Sequence, residues 1–581
     1  MAAHPDLTEE QAHIDRAYAR LEAMRQAALR LRQSALGPTA GTPAALEERD
    51  ALMRSSLARL EQLRLGQESL VFGRIDRDTG ERFHIGRLAV WDEDQEPVVV
   101  DWRAPAAEPF YRATGRHPLG LVRRRHFLTS GRRLVSIDDE VFDLDAAAAD
   151  SFTLAGEGAL FAALERSRTG AMRDIVATIQ AEQDEAIRAP LGGVLVVQGG
   201  PGTGKTAVAL HRAAYLLYTH RFPLERQGVL VVGPNPLFLR YIDQVLPSLG
   251  ETGVTLSTVA GLYGTRPTGL DTPEAARVKG DARMTKVIAR AVRDRQRALP
   301  RDAVVPFGAY TLRLSVADSA EVVAAARRRS GSHNARRPLV ESLVRRRLFA
   351  AYSQRWERAR RAGRHVAEPG QDDHQPVQDD FDEAMAGRPE VRAALDRMWP
   401  LLSPEELLHD LFGAPALVEL AAARFLDPDE RAALHRRRSP THLDVAWTEG
   451  DIALLDEAAV LLGRRRRQRP GADDGRPVGY GHIVVDETQD LSRMQLRMVT
   501  RRSLSGAMTV VGDIAQATGP WAPAGWADIL AHLPARRPPT VVELTVNYRT
   551  PAEIMAVAAP VLAAVGADLA APRSVRSTGV E

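Results

Sequence analysis

Val194-Leu-Val-Val-Gln198 runs directly into Gly199-Gly-Pro-Gly-Thr-Gly204-Lys205-Thr206. The apolar run predicts a short buried strand, and Thr206–Thr219 predicts a helix. The glycine stretch between them fits G-x-x-x-x-G-K-[ST], and strand–loop–helix is the context that pattern needs in order to cradle phosphates. Glycines let backbone N–H groups converge on phosphate oxygens, and the helix N-terminus adds partial positive charge. Gly199, Gly200, Pro201, Gly202, Thr203, Gly204, Lys205 and Thr206 are therefore candidate nucleotide contacts. Lys205 is expected on the β and γ phosphates and the Thr206 hydroxyl on Mg²⁺, so the expected ligands are ATP and Mg²⁺.

Working outward, Gly228–Val232, Ile483–Val485 and Met508–Val511 are further short apolar runs alternating with helical patterns. They predict a parallel sheet covered on both faces, an α/β fold of the P-loop NTPase class. One of them ends in Ile483-Val-Val-Asp486-Glu487-Thr-Gln489-Asp490. An apolar strand ending in Asp-Glu is the Walker B arrangement. Asp486 is expected to hold Mg²⁺ through water, and Glu487 to orient and deprotonate the attacking water.

Either side of this core the pattern changes. Leu7 to Leu65 carries apolar residues at helical spacing, interrupted by Gly37-Pro-Thr-Ala-Gly-Thr-Pro43. It predicts an antiparallel helical hairpin, read as a projecting arm or as part of a larger core. Ser69–Ile75, Arg82–Val90, Pro97–Asp101, Leu121–Thr129 and Leu134–Ile137 predict a small antiparallel β module. Between Gly264 and Gly481 no further buried strand is expected, and the Arg-rich stretch reads as a large, mostly helical insertion. Within it, Glu368 to Glu383 holds seven carboxylates and no Lys or Arg, and is expected to be a disordered acidic loop. The expected segments are 1–66 (hairpin), 67–150 (β module), 151–264 and 481–540 (the two parts of the ATPase domain), 265–480 (insertion) and 541–581 (start of a second domain).

Composition limits the alternatives. The 581 residues carry 77 Lys+Arg against 75 Asp+Glu, a net charge of +2, which excludes a uniformly basic nucleic-acid coat. No cysteine is present, which excludes disulfides, thiolate metal sites and a Cys nucleophile. Only three of the basic residues are lysine: Lys205, Lys279 and Lys286. No apolar run is long enough to span a membrane and the polar start is no signal peptide, so a soluble, cytoplasmic monomer is expected.

In order along the chain, the motifs resemble those of the UvrD-like superfamily 1 ATPases. Ile179-Gln-Ala-Glu-Gln183-Asp-Glu-Ala-Ile187 resembles that family's glutamine motif, which makes Gln183 the candidate reader of the adenine edge. Val511-Gly-Asp513-Ile-Ala-Gln516 resembles its third motif, implying that Gln516 senses the γ-phosphate. Val546-Asn-Tyr548-Arg549-Thr550 resembles its fourth, implying Arg549 at the γ-phosphate. Tyr548 has two readings, a base-stacking ring or a packed core aromatic. The resemblance narrows to the HelD family of bacterial RNA-polymerase-associated ATPases, of the actinobacterial type. It does so at Phe72-Gly-Arg-Ile-Asp76, Ile85-Gly-Arg87, Asp101-Trp-Arg-Ala-Pro-Ala106 with Pro109-Phe-Tyr111, Arg123-Arg-Arg125, Ala446-Trp447 with Asp451, and Leu454-Leu-Asp-Glu457. The fold then implied is a RecA-like parallel sheet with an N-terminal hairpin, a β module and a helical insertion. The implied partner is RNA polymerase, opened and released from nucleic acid for recycling, in some relatives with protection from rifamycins. The acidic patch has two readings, a competitor of DNA phosphates or a solvated loop.

Two departures temper the resemblance. Ala517-Thr518-Gly519 and Thr255-Leu256-Ser257 stand where repair helicases carry aromatic and His residues that engage single strands. Losing stacking platforms removes about 1–3 kcal/mol per base, so weak or no single-strand binding is expected. Beyond Arg549 the family's fifth and sixth motifs are not found, and the reading expects a second RecA-like domain cut short. With its arginine finger missing, the chain is expected to bind ATP better than it hydrolyses it. Two other functions stay open: a UvrD-type DNA helicase or translocase, and a non-hydrolysing polymerase-binding protein with a nucleotide switch site.

Overall fold

The computed structural model describes residues 4–35, 53, 55, 60, 63, 69–113, 117–142, 181–237, 239, 254–362, 377–464, 479–547, 549–565 and 572–575. Helix α1 (Leu7–Ala35) leads into a six-stranded sheet: β1 (Val71–Arg77), β2 (Arg82–Gly86), β3 (Val90–Trp91), β4 (Pro97–Asp101), β5 (Leu121–Ser130) and β6 (Arg133–Val141). Their order is β3-β4-β2-β1-β5-β6. The sheet is mixed rather than antiparallel throughout, because β2 and β4 run parallel, Ile85 opposite Val100 and Gly86 opposite Asp101. The expected strand Arg82–Val90 breaks after Gly86, where an added Cβ would lie 2.3 Å from the Leu70 carbonyl oxygen and 2.5 Å from Val99.

The first half of α1 does not project. Ile14, Ala17, Tyr18 and Leu21, at helical spacing, are buried in one cluster with Val90, Val99 and Phe127 of the sheet. The Tyr18 hydroxyl accepts the Leu70 N–H at 2.9 Å. The expected break at Gly37–Pro43 and most of the second hairpin helix lie outside the described residues, although Leu63 belongs to the α1 cluster.

A buried ionic network also holds α1 down. Arg125 donates to Asp139 at 2.7 Å, to Glu10 at 2.7 Å and to Asp6 at 2.6 Å. Arg74 joins Glu10 and Asp76, Arg123 joins Asp76, and His84 Nε2 lies 2.8 Å from Glu10. Burial alone would raise the Glu10 pKa, but the His84 hydrogen bond and the Arg74 and Arg125 charges hold it down at about 2. The run Arg123-Arg-Arg125 is thus interior: all three side chains are buried.

The nucleotide-type core is a second six-stranded sheet, built from β7 (Val194–Gly199), β8 (Val229–Val232), β9 (Val254–Ser257), β12 (His482–Val485), β13 (Met508–Gly512) and β14 (Thr540–Leu544). Every neighbouring pair is parallel, in the order β14-β7-β13-β12-β8-β9. The four expected strands, β7, β8, β12 and β13, are buried along their length and read as apolar runs, whereas the two edge strands, β9 and β14, are partly exposed and carry no such run. β14 pairs directly with β7, Val541 opposite Val196. The expected boundary at 540/541 therefore falls inside this sheet, and the chain leaves it only after Leu544.

The two sheets share a core through helix α2 (Glu108–Arg112), which packs on α4 (Lys205–Thr219); residues 181–188 form α3. Trp102, Phe110 and Tyr111 lie in one buried cluster with Val208, Ala213 and Leu216 of α4. The Tyr111 and Tyr218 rings stack at 5.0 Å. The Asp-Trp-Arg-Ala-Pro block is thereby the joint between the β module and the phosphate-loop helix.

The stretch expected as one insertion divides in two. Helices α5 (Pro273–Gly280), α6 (Met284–Asp294) and α9 (Glu449–Leu462) share a core with the parallel sheet. Among the described residues of that stretch, those between Leu299 and Trp399 alone form a core of their own. It includes an antiparallel hairpin, β10 (Ala303–Phe307) with β11 (Tyr310–Leu314), that the helical reading missed, and the long helix α7 (Arg337–Arg361). The acidic patch is not wholly a loop. Asp379, Asp380, Asp382 and Glu383 sit on α8 (Gln378–Met385), whose Phe381 and Met385 are buried in that core; Glu368, Asp372 and Asp373 lie outside the described residues. Apolar residues at i and i+4 are enough to bind a short acidic helix to a partner.

Lys279 answers for a second of the three lysines. Its ammonium meets Asp271 at 2.5 Å and Asp451 at 2.8 Å, and Asp451 also accepts from Arg436 at 2.7 Å. Arg436 lies over the Trp447 ring, 4.7 Å from its centroid. The Trp447/Asp451 motif is thus a buried brace. The Leu454–Glu457 motif ties α9 to α10 (Arg493–Thr500) and the turn beyond it: Glu457 accepts from Arg497 at 2.8 Å and Asp456 from Arg502 at 2.9 Å.

Candidate functional site

The site lies at the carboxyl ends of β7, β12 and β13. The phosphate loop turns through two left-handed glycines, Gly202 at φ +74° and Gly204 at φ +84°, before α4 begins at Lys205. The first is indispensable on space as well as on φ, since a Cβ there would sit 2.4 Å from Asn547 Oδ1. Thr203 Oγ1 donates to the Gly200 carbonyl at 3.0 Å, closing the loop. Lys205 Nζ folds onto the same carbonyl at 3.0 Å. Burial holds its pKa below the ordinary lysine value, opposed by Asp513, Glu487 and Asp486.

Thr206 Oγ1 donates to Asp486 Oδ2 at 2.8 Å, bringing together two residues 280 apart in sequence. Burial pushes the Asp486 carboxyl up to about 6, while the Thr206 hydrogen bond works the other way. A hydroxyl and a buried carboxylate side by side form the hard oxygen set that suits Mg²⁺, and a cation there would relieve the cost of the buried charge.

Glu487 follows with φ +48°, a left-handed conformation uncommon for a non-glycine residue. Its carboxylate accepts from Gln489 Nε2 at 2.7 Å. The other end of that amide, Gln489 Oε1, accepts the Asp513 N–H at 3.1 Å. Gln489 therefore fixes Glu487 and links it to the loop after β13.

In that loop Asp513 accepts from Gln516 Nε2 at 2.7 Å and from Gln198 Nε2 at 3.1 Å. Gln198 Oε1 in turn accepts from Trp526 Nε1 at 2.7 Å. The fourth-motif segment leaves β15 (Val546–Asn547), which pairs with β16 (Arg573–Ser574). Asn547, fully buried, accepts the N–H groups of Arg549 at 3.0 Å and Thr550 at 2.9 Å. That turn rests on Gly202, so Arg549 stands beside the phosphate loop; Tyr548 lies outside the described residues.

Gln183 is placed less directly. It is half-buried on α3, and among the described residues its carboxamide makes no hydrogen bond. Its neighbour Glu182 accepts the Thr545 N–H at 2.9 Å. Thr545 lines a cavity of 720 Å³ together with Gly200, Pro201, Asp513 and Gln516.

Gln183 apart, the described candidates lie around one end of the parallel sheet. Sequence reading missed four supports: Gln198, Gln489, Asp513 and Asn547. The signals were faint, a polar residue closing an apolar strand at Gln198 and amide or acid residues inside the quoted motifs. Their roles depend on partners that local sequence does not specify.

A second cleft, of 690 Å³, opens beyond the ends of β8 and β9, lined by Asn235, Thr258, Arg266, Glu449, Asp490 and Trp521 among others. The Trp521 Nε1–H donates to the Asp490 carbonyl at 2.8 Å. Among the described residues no helix is long and apolar enough to cross a membrane, and no group of His, Cys, Asp and Glu is arranged as a metal cluster.

Residues 7–151 match the family described as the N-terminal domain of DNA helicase IV HelD. Residues 183–519, more than half of the chain, match an AAA domain family. No match was found among curated proteins.

Proposed function

Because the chain belongs to the HelD-type, UvrD-like P-loop ATPases, we propose that it binds RNA polymerase and uses ATP to open it and release it from nucleic acid. The ATPase half of this reading rests on one observation, the Thr206–Asp486 pair at 2.8 Å beside Lys205 and Glu487. In this reading the loop N–H groups and Lys205 bind the triphosphate, Lys205 releasing the Gly200 carbonyl to do so. Mg²⁺, held by Thr206 and by Asp486 through water, would neutralise charge developing on the β and γ phosphates. Glu487, steadied by Gln489, orients water for attack on the γ-phosphorus and takes its proton. Gln516 and Arg549 face the γ-phosphate, Gln183 reads the adenine edge, and Tyr548 is proposed as the stacking ring.

The polymerase half is supported by the HelD N-terminal match and by Trp102, which joins the β module to the phosphate-loop helix. A partner gripping that module would have a rigid path to the nucleotide. Weak single-strand binding is part of the proposal. The second cleft is lined by Glu449 and Asp490 as well as Arg266, and its Trp521 lies close against Gly280, a poor lining for a phosphate backbone. The test is a pulldown with core RNA polymerase, beside ATPase assays of Lys205→Ala and Glu487→Gln. Polymerase capture with ATP turnover lost in both variants is expected. Absence of capture, or robust strand unwinding by the purified protein, overturns the reading.

A further inference from the structure

Arg212 lies on α4, the helix that begins at Lys205, and is 1 % exposed. Among the described residues its guanidinium meets no carboxylate. Instead Nη1 donates to the carbonyls of Ala186 at 3.1 Å, Ile187 at 3.1 Å and Ala189 at 2.6 Å, and Nη2 to Pro190 at 2.9 Å. Nε donates to Thr509 Oγ1 of β13 at 2.9 Å. Ala186 and Ile187 are in the last turn of α3, whose end carbonyls have no helical partners of their own. A buried cation at a helix C-terminus satisfies them and opposes the helix dipole. Burial lowers the Arg212 pKa to about 10, so the group stays charged at neutral pH. A lysine could not reproduce this fan, because one ammonium has three donors and no planar fork.

At the start of the described part of α3, Glu182 is a second anchor, its carboxylate accepting both the N–H and the hydroxyl of Thr545, while Arg188 at the far end donates to the Arg112 carbonyl at 2.8 Å. Between Glu182 and the carbonyls held by Arg212 stands Gln183. The phosphate end of the nucleotide site starts α4, and the proposed base reader sits on α3. Arg212 belongs to the first and grips the second, so it fixes the separation between phosphates and base.

We infer that Arg212 and Glu182 are positioning residues that set the nucleotide's base preference, by holding Gln183 in register with the phosphate loop. The inference rests on the reading of Gln183 as the adenine reader. Hydrogen bonds to a base edge discriminate only when their donor and acceptor are held in place. Loosening α3 should therefore weaken ATP while leaving triphosphate binding intact.

The experiment measures affinities of the full chain for ATP, GTP and inorganic tripolyphosphate, each with Mg²⁺, in the unmodified protein and in Gln183→Ala, Glu182→Ala and Arg212→Lys. Each variant is expected to lower the ATP-to-GTP affinity ratio by about 3- to 10-fold, the worth of one hydrogen bond. Tripolyphosphate affinity is expected to stay within about twofold, a difference well below one such bond. If Gln183→Ala leaves the ratio unchanged, the base reading falls and the inference with it. If Gln183→Ala lowers the ratio but Glu182→Ala and Arg212→Lys do not, the inference alone falls. It falls too if tripolyphosphate weakens in step with ATP, since that is general damage. Should Arg212→Lys fail to fold, Glu182→Ala, on a half-buried side chain, decides by the same criteria.

Discussion

Gly202→Ala and Asn547→Ala, made singly and together, test whether the fourth-motif turn and the phosphate loop form one unit. A Cβ on Gly202 would lie 2.4 Å from Asn547 Oδ1 and 2.9 Å from Thr550 Oγ1, at a backbone φ of +74°. The left-handed backbone alone costs an alanine about 1–2 kcal/mol. To escape the overlap, the Asn547 carboxamide must swing away from the N–H groups of Arg549 and Thr550, now at 3.0 and 2.9 Å. Leaving such a buried group unpaired costs about 1–3 kcal/mol. The unliganded loop relieves these costs by relaxing away from this shape, and binding must restore it, so Gly202→Ala should weaken Mg-ATP binding by about 3 kcal/mol or more, over a hundredfold. Asn547→Ala loses those two hydrogen bonds together with its Nδ2 donations to the Thr550 carbonyl and Ser574 Oγ, and should cost about 2 kcal/mol or more. In the double variant those bonds are already gone and the overlapping oxygen is absent. The costs should fall short of additivity by about 1–2 kcal/mol. Equilibrium titration with a fluorescent ATP analogue reads the four corners of the cycle, with thermal melts to show that each variant is folded. Additivity within about 0.5 kcal/mol would refute the contact.

Three further outcomes follow from the same geometry. Gln489→Leu should lower kcat by about 10- to 100-fold with nucleotide affinity unchanged, because it frees the Glu487 carboxylate and the Asp513 N–H without touching the phosphate loop; steady-state kinetics beside equilibrium binding checks this, and a rise in Kd with kcat intact would contradict it. Lys279→Met should destabilise the protein by about 3 kcal/mol, since it strips the cation from Asp271 and leaves the buried Asp451 with Arg436 alone; a denaturant midpoint equal to the unmodified protein's would count against the brace. Glu10 has its pKa lowered from 4.5 to about 2 in the folded chain, so its stabilisation is complete above pH 4.5 and is lost as pH falls toward 2. Melting temperatures should accordingly drop on acidification through that window, and Glu10→Gln should lower stability at neutral pH while flattening the drop; an unchanged acid profile in the variant would remove Glu10 from the account.

Much of the site was readable because its parts are contiguous. The phosphate loop is a single run from Gly199 to Thr206, and its strand and helix flank it in sequence. The Walker B strand announces itself in the same way, as Ile483–Val485 followed by Asp486 and Glu487. Parallel strands buried on both faces must be apolar at every position, so β7, β8, β12 and β13 were visible. The errors arose where context overrode pattern. β10 and β11 alternate buried and exposed residues, and their short runs were lost among arginines. The acidic stretch was read from its charge, whereas Phe381 and Met385 determined that part of it folds as a helix.

The sequence by itself determined the chemistry available: a lysine and hydroxyl after a glycine loop, two carboxylates after an apolar strand, and a parallel α/β core to carry them. Those features depend on neighbours along the chain, and covalent adjacency is what a sequence records. Only the tertiary structure decided which long-range partner each polar group has. It turned Arg123, Arg124 and Arg125 inward, although by composition they belong to a basic surface. It set Asn547 against Gly202 and gave Arg212 its five oxygen acceptors. Burial makes an unpaired polar group costly, so each of these side chains has its partners specified by the packing of elements distant in sequence.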